Sequence, residues 1–589
     1  MADRNLFILR RGFTKFFTAT LAFALVEQLC LILDMILVGN FVAADAFAAL
    51  ELVAPYETIT LAIFQILVGG SEIVASQMIG EQLFKKADKV LSSTLVLSAV
   101  TAFVIAALSL VFIDPLSSFL SPDESLRGYV KDYLCIFIPT LPFTAIFLIV
   151  SKIVNIDGKP GLLTLVSAAA CAADILLDVL LMKGLGMGIK GQAWANLASY
   201  VLPLIILIPH LASSKCSFNF EINPGKLLAG LGELIKAGLP YALPFVLTSL
   251  LCYEINSAAL STHGAEGVYA WGAGYQVLTL GMMIASCVCD NILVTMGSML
   301  HGCDDHGGLG FLVRNCTRLL AVIQGIIIIA VFCFPHAVVS MFGESSPEVL
   351  HACERPVKLT VLFLVPYTIC YIKLSLLQAL DKTWTSLLHF TVLFVMSVAL
   401  VRLSALLQGR GFFLALPAAG LLYIVSDFVA SSIIRKRHPD LSRYYLIPTP
   451  EKKRSFYESV PYTQEGLSSS LERLEPFLEG CDLSIPVKMS INLCCEELMM
   501  NIVEHNALEP ENHVFDVYIR EEDDCVKITF KDAGKPYNPV KKYDKTAAEA
   551  YLAGEEMNLS MQILNNMCHE LSYNYMYGQN TVYMRFPKN

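Results

Sequence analysis

The chain has 589 residues, of which 55% are hydrophobic and 16% charged; with a mean hydropathy of +0.58 it is far too apolar for a soluble protein of that size, and it reads as a polytopic membrane protein. A formal net charge of −10, with no basic stripe interleaved with aromatics, argues against nucleic acid as a partner. Seventeen cysteines are an odd number without metal-type spacing, Cys287 and Cys289 falling in one apolar run and Cys494 and Cys495 being adjacent, so they read as reduced packing residues.

Arg4, Arg10 and Arg11 precede an apolar run too long for a signal-peptide core, with no small-residue cleavage site after it, so the first span is expected to be retained. Apolar runs near the roughly 20 residues needed to cross a hydrocarbon core number twelve, in two sets of six. The first set is Thr14–Phe41, Phe47–Gly80, Val90–Ile113, Tyr133–Val154, Gly161–Met182 and Gly191–Leu211. A polar linker, SSKCSFNFEINPGK, leads to the second: Leu239–Leu260, Gly267–Met299, Leu319–Phe342, Leu359–Leu380, Leu387–Leu407 and Phe412–Ile434. The expected fold is therefore a polytopic α-helical membrane protein of two six-helix lobes, residues 1–211 and 239–437, joined by a linker over 212–238. Asp34 followed by ALELVAPY loosely parallels Glu254 followed by AWGAGYQV, as in duplicated halves that set a transport site between or within them.

Lys and Arg gather at the amino end (Arg4, Arg10, Arg11, Lys15), after the second span (Lys85, Lys86, Lys89) and after the twelfth (Arg435, Lys436, Arg437). The positive-inside rule then puts both termini in the cytoplasm, although Lys183, Lys190, Arg355 and Arg410 dilute the contrast. In that orientation Asp34, Asp174, Asp178 and Asn196 all come to a similar depth in the outer half of the first lobe, with Asp174 and Asp178 one helical turn apart on one face. Three carboxylates and an amide in a low-dielectric cavity repel one another until a proton or a hard cation neutralises them, so these four residues form a candidate Na⁺ or H⁺ site. The alternative is that Asp174 or Asp178 bonds backbone or a lysine at the interface. Glu27 lies seven residues before Asp34 and has no partner that can be named. In the second lobe Glu254, Asp290 and Lys373 stand out, and Lys373 either neutralises one of these acids or faces substrate.

After Arg437 the stretch HPDLSRYYLIPTPEKKRSFYESVPY reads as an exposed linker over 438–460, followed by a soluble α/β domain over 461–589. Leu467, Leu471, Leu474 and Leu478 mark a helix over 466–480, and Val487–Asn506 makes a second. Val514–Arg520 and Val526–Lys531 alternate as strands around EEDDC, and a last hairpin turns at Tyr577–Asn580.

The six-plus-six arrangement resembles the multidrug and toxic compound extrusion (MATE) transporters over residues 10 to 435 or so. The run Asp34-Met-Ile-Leu-Val-Gly39 resembles the acid-then-VG pattern of their first helix, Val68-Gly69-Gly70-Ser71 their glycine-rich second helix, and Gly80-Glu81 through Lys85, Lys86 and Ala87 the basic loop after it. Most specific is Asp174-Ile-Leu-Leu-Asp178 followed by LGMGIKGQAWAN, where Asp174 stands for the usual Asn and Asn196 for the usual Thr of a cation site in the first lobe. Some members also use acids on helices seven and ten, and Glu254 matches such a position.

Glu497 and Asn501, at i and i+4 on one helix, resemble the first conserved box of histidine-kinase-like ATPase domains, and Asp532-Ala-Gly534 the second. The resemblance implies that Glu497 polarises a water, Asn501 holds Mg²⁺ over the phosphates of ATP, Asp532 receives the adenine amino group and Gly534 lets the backbone approach. The nearest shape is the anti-sigma-factor serine kinase type. The third box is reduced to Gly554, followed by Glu555 and Glu556, acids that would repel phosphate.

The function expected is a cation-coupled (Na⁺ or H⁺) antiporter exporting small organic solutes, organic cations included, across the cytoplasmic membrane, with a carboxy-terminal ATPase-like domain that regulates it or reports on it, either by binding ATP or, with phosphate repelled, as a module for a regulatory protein partner. No P-loop of an ATP-driven pump is present. Two rival readings are a flippase for lipid-linked precursors, which calls for a cationic cleft and a membrane lipid as substrate, and a membrane-anchored anti-sigma-type kinase that uses the spans as a sensor.

Overall fold

A computed structural model describes residues 7–41, 44–121, 124–213, 216–222, 228, 230–303, 305–340, 347–408, 411–442, 444–447, 454–505, 514–534, 568–576 and 579–588. Among them, twelve helical segments are long and apolar enough to cross a membrane. Six come from α1 (Phe7–Phe41), α2 (Ala44–Gly80), α3 (Phe84–Val111), α4 (Ile113–Leu120), α5 (Glu124–Phe137), α6 (Leu141–Ile156), α7 (Pro160–Asp178) and α8 (Ile189–Leu211). The second set comes from α9 (Leu231–Val288), α10 (Thr295–Gly302), α11 (His306–Cys333), α12 (Pro335–Ser340), α13 (Pro347–Val361), α14 (Leu364–Ala379), α15 (Thr383–Leu406) and α16 (Ala415–Arg437). No disulfide joins any of the seventeen cysteines.

Exposed Leu, Val, Ile and Phe cover the outside of the bundle, as lipid-facing helices require, while small and polar residues line the helix contacts. The two lobes meet along α2 and α9. A Cβ on Gly70 would overlap the carbonyl of Leu234, and one on Gly238 the carbonyl of Ile66, so the backbones approach as closely as glycine permits. Gly80 and Gly302 repeat the device against Met299 and Gln77.

The soluble part is a five-stranded antiparallel sheet in the order β1-β2-β3-β5-β4, made of β1 (Ser455–Pro461), β2 (Val514–Glu521), β3 (Cys525–Asp532), β4 (Glu570–Met576) and β5 (Gln579–Pro587). Helices α17 (Gln464–Glu479) and α18 (Ile485–His505) bury Leu467, Leu474, Ile491, Cys495 and Leu498 against Phe515, Val517, Ile528 and Phe530 of the sheet. Thr463 caps α17 by accepting the Gly466 N–H at 3.0 Å. The stretch read as linker differs from that reading in two places. Residues 455–461 pair with β2 as an edge strand, Ser455 opposite Arg520 through Pro461 opposite Val514. Leu446 and Ile447 are buried, and the Tyr445 hydroxyl lies 2.8 Å from Thr317 Oγ1 of α11.

The sheet rests on one end of the bundle, called here the domain end. Ser217, in the segment between the lobes, donates its hydroxyl to the Tyr575 carbonyl of β4, the Lys159 ammonium stands 5.8 Å from the Tyr575 ring, and a Cβ on Gly12 of α1 would lie 3.1 Å from Gln579 Nε2.

Candidate functional site

Helix α7 begins at Pro160, whose fixed φ suits a first helical position, after a turn in which Gly158 takes a φ of +77°. From there it runs away from the domain end, parallel to α1, and reaches Asp174 and Asp178. Ser199 of α8 donates its hydroxyl to Asp174 Oδ1 at 2.6 Å, and Cys30 of α1 faces Asp174 Oδ2 at 3.8 Å. Helix α1 and the consecutive pair α7 and α8 therefore converge on one carboxylate. Asp178 is one turn farther along α7 and buried to 1% exposure, and Asn196 is one turn from Ser199 in the same direction, half-buried. Asp34 stands one turn beyond Cys30 on α1; its side chain lies outside those described. Directly after Asp178 the helix widens into a π-helical turn over Val179–Gly184, and a second π segment, Cys289–Val294, holds Asp290 in the other lobe. Such turns recur at functional sites because they put an extra residue into the helix face.

Glu254 is not brought to this cluster. Its carboxylate is bound in two-pronged fashion by the Arg402 guanidinium of α15, at 2.9 and 2.6 Å. Lys373 meets neither Glu254 nor Asp290: fully buried, it donates to Asp427 Oδ1 and Ser431 Oγ, both at 2.6 Å, with His389 Nδ1 3.1 Å from the same Asp427 oxygen.

In the soluble domain Glu497 and Asn501 share a face of α18, and the Asn501 amide donates to the Glu497 carbonyl at 3.3 Å. Asp532 ends β3, buried. Its Oδ1 accepts the Tyr462 hydroxyl and, at 3.0 Å, the Gly534 N–H, and its Oδ2 accepts Asn580 Nδ2 at 2.8 Å. Burial and the Asp532 carboxylate together push the Tyr462 phenol well above its ordinary range. The carboxylate expected to read adenine is thus held in place by three donors of its own domain, two on Oδ1 and one on Oδ2, which leaves Oδ2 with a further lone pair. Gly554 lies outside the described residues.

The MatE family model matches residues 20–180 and 240–402, more than half of the chain. The chain belongs to the MatE family. A second family, the histidine kinase-like ATPase domain, matches residues 460–586, so this MATE transporter carries a kinase-like ATPase domain at its carboxy end. Among curated relatives, the multidrug export protein MepA of Staphylococcus haemolyticus is 21% identical over 59% of this chain and 76% of its own. The FAD transporter of Shewanella oneidensis is 23% identical over 64% of this chain and 84% of its own. A solved structure described as an outward-facing conformation of a multidrug resistance MATE family transporter superposes with a TM-score of 0.67 at 18% identity, covering 73% of this chain and 96% of that one. The protein is thus a multi-pass membrane transporter of the MATE efflux type.

One cluster in this MATE transporter was not visible in its sequence. Glu72 of α2, completely buried, accepts the Tyr241 hydroxyl of α9 at 2.7 Å and the Thr295 hydroxyl of α10, and pairs with the Lys152 ammonium of α6 at 2.8 Å. Asp290, which takes a hydrogen bond from Tyr371 at 3.2 Å, and Glu27 both lie within electrostatic range of Lys152. Asn155 of α6 donates to Asn291 at 3.1 Å. The network ties α2 and α6 of one lobe to α9, α10 and α14 of the other, in the half of the bundle nearest the domain end. It also gives Glu27 its charged neighbour. The only sequence signal was a Glu and a Lys inside apolar spans, with nothing to join residues 72, 152, 241 and 295.

Proposed function

We propose that this transporter is an antiporter that exports small organic solutes in exchange for Na⁺ or H⁺, with the cation bound at Asp174 and Asp178 together with Asp34 and Asn196. The observation that carries the reading is the convergence of α1, α7 and α8 on Asp174, with the buried Asp178 one turn away. A carboxylate pair this close in a low-dielectric setting is held by protonation or by a cation, and loading changes its charge and so the packing the lobe prefers. Placing the domain end in the cytoplasm, as the flanking Lys and Arg direct, makes the α2–α9 contact an inner closure and the state outward-facing. The acidic balance of the interior supports organic cations as cargo and disfavours the lipid-precursor reading: Glu27, Glu57, Glu72, Asp174, Asp178, Asp290 and Asp427 outnumber Lys152 and Lys373 among the described residues inside the spans. Glu254, paired with Arg402, is left out of the coupling site.

The test is solute export from vesicles under imposed Na⁺ and proton gradients. Asp34→Asn and Asp178→Asn are each expected to uncouple export from the cation gradient, and parental transport in both would overturn the site. The ATPase-like domain is proposed to bind Mg-ATP through Asn501 and Asp532, with Glu497 as the water-polarising group, and so to adjust transport rather than drive it. Calorimetry on the full chain should give Mg-ATP binding that Asn501→Ala and Asp532→Ala abolish; no binding by the parent would end that part of the proposal.

A further inference from the structure

Beyond the coupling site and the nucleotide site, the chain brings together three donors of different chemistry where the soluble domain rests. We infer that Asp157, His210 and Cys216 form a binding site for a borderline-soft divalent cation of the Zn²⁺ class. Asp157 closes α6 in the turn made by Gly158, His210 sits in the last turn of α8, and Cys216 follows in the segment that joins the lobes. A carboxylate oxygen, an imidazole nitrogen and a thiol sulfur from these residues all lie within 4.8 Å of one another.

His210 Nε2 stands 2.9 Å from Asp157 Oδ2, while the other carboxylate oxygen accepts the Ser217 N–H at 2.8 Å. That second bond orients the carboxylate and leaves Oδ2 turned toward the imidazole, the outer support that metal-binding carboxylates commonly have. The side chains of Asp157 and His210 are 2% and 14% exposed, so the donors are held in place rather than waving in solvent. With bond lengths of about 2.0–2.1 Å, two tetrahedral ligands stand about 3.3 Å apart, so the histidine–aspartate pair needs to open by only a few tenths of an ångström.

The donor set chooses the cation class. Mg²⁺ and Ca²⁺ favour oxygen alone, whereas a thiolate, an imidazole and a carboxylate suit Zn²⁺ with one position left for water. A cation bound there takes Cys216 as the thiolate, so binding releases the thiol proton and tightens as the pH rises. The sequence spacing hid this set because 53 residues separate Asp157 from His210, and a cysteine six residues beyond that histidine matches no familiar metal pattern.

The position gives the cation something to act on. Ser217, next to Cys216, holds the Tyr575 carbonyl of β4, and Lys159, two residues past Asp157, stands over the Tyr575 ring. A cation gripping Asp157, His210 and Cys216 would fasten the α6–α7 turn, the end of α8 and the interlobe segment into one seat for the domain.

The experiment uses the full chain in detergent, stripped with a chelator and titrated with Co²⁺ as the spectroscopic stand-in. One equivalent is expected to give a thiolate-to-cobalt charge-transfer band with tetrahedral visible absorption, both displaced by Zn²⁺. Cys216→Ser should lose the charge-transfer band. His210→Gln keeps a hydrogen-bonding amide beside Asp157 but offers a poor ligand, and should weaken binding roughly tenfold or more while leaving the melting temperature of the metal-free chain near the parent's. Zn²⁺ should also slow deuterium exchange across residues 570–588 in the parent and not in Cys216→Ser. A parent without the band, or the same band and stoichiometry in Cys216→Ser, would overturn the site.

Discussion

Two ion pairs in the second lobe show how burial decides what a charge contributes. Glu254 and Arg402 meet with side chains 25% and 66% exposed, so either one left alone can still turn outward from the bundle. Lys373 and Asp427 are 0% and 1% exposed, and removing one partner there strands the other in a low-dielectric core at a cost of about 3–5 kcal/mol, softened by His389 on the same oxygen. Lys373→Met is therefore expected to lower unfolding stability in detergent by several kcal/mol, Arg402→Ala by much less, and the double change Lys373→Met with Asp427→Asn by less than Lys373→Met alone. Denaturant titration of the four proteins checks the ranking, and equal losses in Lys373→Met and Arg402→Ala would contradict it. Glu254 and Lys373 were conspicuous in the sequence because each interrupts an apolar run. Their partners were not: Lys373 and Asp427 are 54 residues apart, Glu72 and Thr295 223, and helical spacing reports faces within a helix rather than pairs between helices.

At the scale of elements, counting residues from the ends of α1, α7 and α8 set Asp34, Asp174, Asp178 and Asn196 at a similar depth, since each helix advances a fixed 1.5 Å per residue, but it did not pick out Cys30 and Ser199, the residues of α1 and α8 that meet Asp174. What counting misses is close approach and edge pairing. Strand β1 lies in a charged, turn-rich stretch, and its sides are intermediate in exposure almost throughout, so no two-residue alternation betrays it. The α2–α9 crossing depends on Gly70 and Gly238, which look like any glycines in an apolar helix until the facing carbonyls of Leu234 and Ile66 are known. A side chain at Gly238 forces the two backbones apart, and overpacking of this kind costs about 1–3 kcal/mol in the state where the lobes touch. The cost falls on the closed domain end alone, so Gly238→Val should shift the population toward its opening by roughly 5-fold or more. Hydrogen exchange is the measurement: residues 66–80 and 234–241 are expected to exchange faster in Gly238→Val while the soluble domain is unchanged, and unaltered exchange along α2 would mean the crossing does not close that end.

For the whole molecule the question is where the transporter stops and its soluble attachment begins. Composition puts the break after Arg437, but the segment beyond it goes back into the bundle. Tyr445 meets Thr317, the Lys373 ammonium lies 4.8 Å from the Tyr444 ring centre, and Leu446 and Ile447 are buried. A cation over an aromatic ring contributes about 0.5–2 kcal/mol, and each buried aliphatic side chain about 1.5–3 kcal/mol, so this short segment steadies α11, α14 and α16 by several kcal/mol. It also links the buried Lys373–Asp427 pair, through six residues, to the start of the described part of the soluble domain at Arg454. Two truncations separate these roles. A chain ending at Ile447 keeps the packed segment and should retain cation-driven export with near-parental thermal stability, while losing any response to Mg-ATP. A chain ending at Arg437 also exposes the Lys373 cluster, and its melting temperature should fall well below that of the longer truncation. If the two melt alike, the segment only tethers the domain; if the Ile447 truncation cannot export solute at all, the ATPase-like domain is part of the transport cycle and not an adjuster of it.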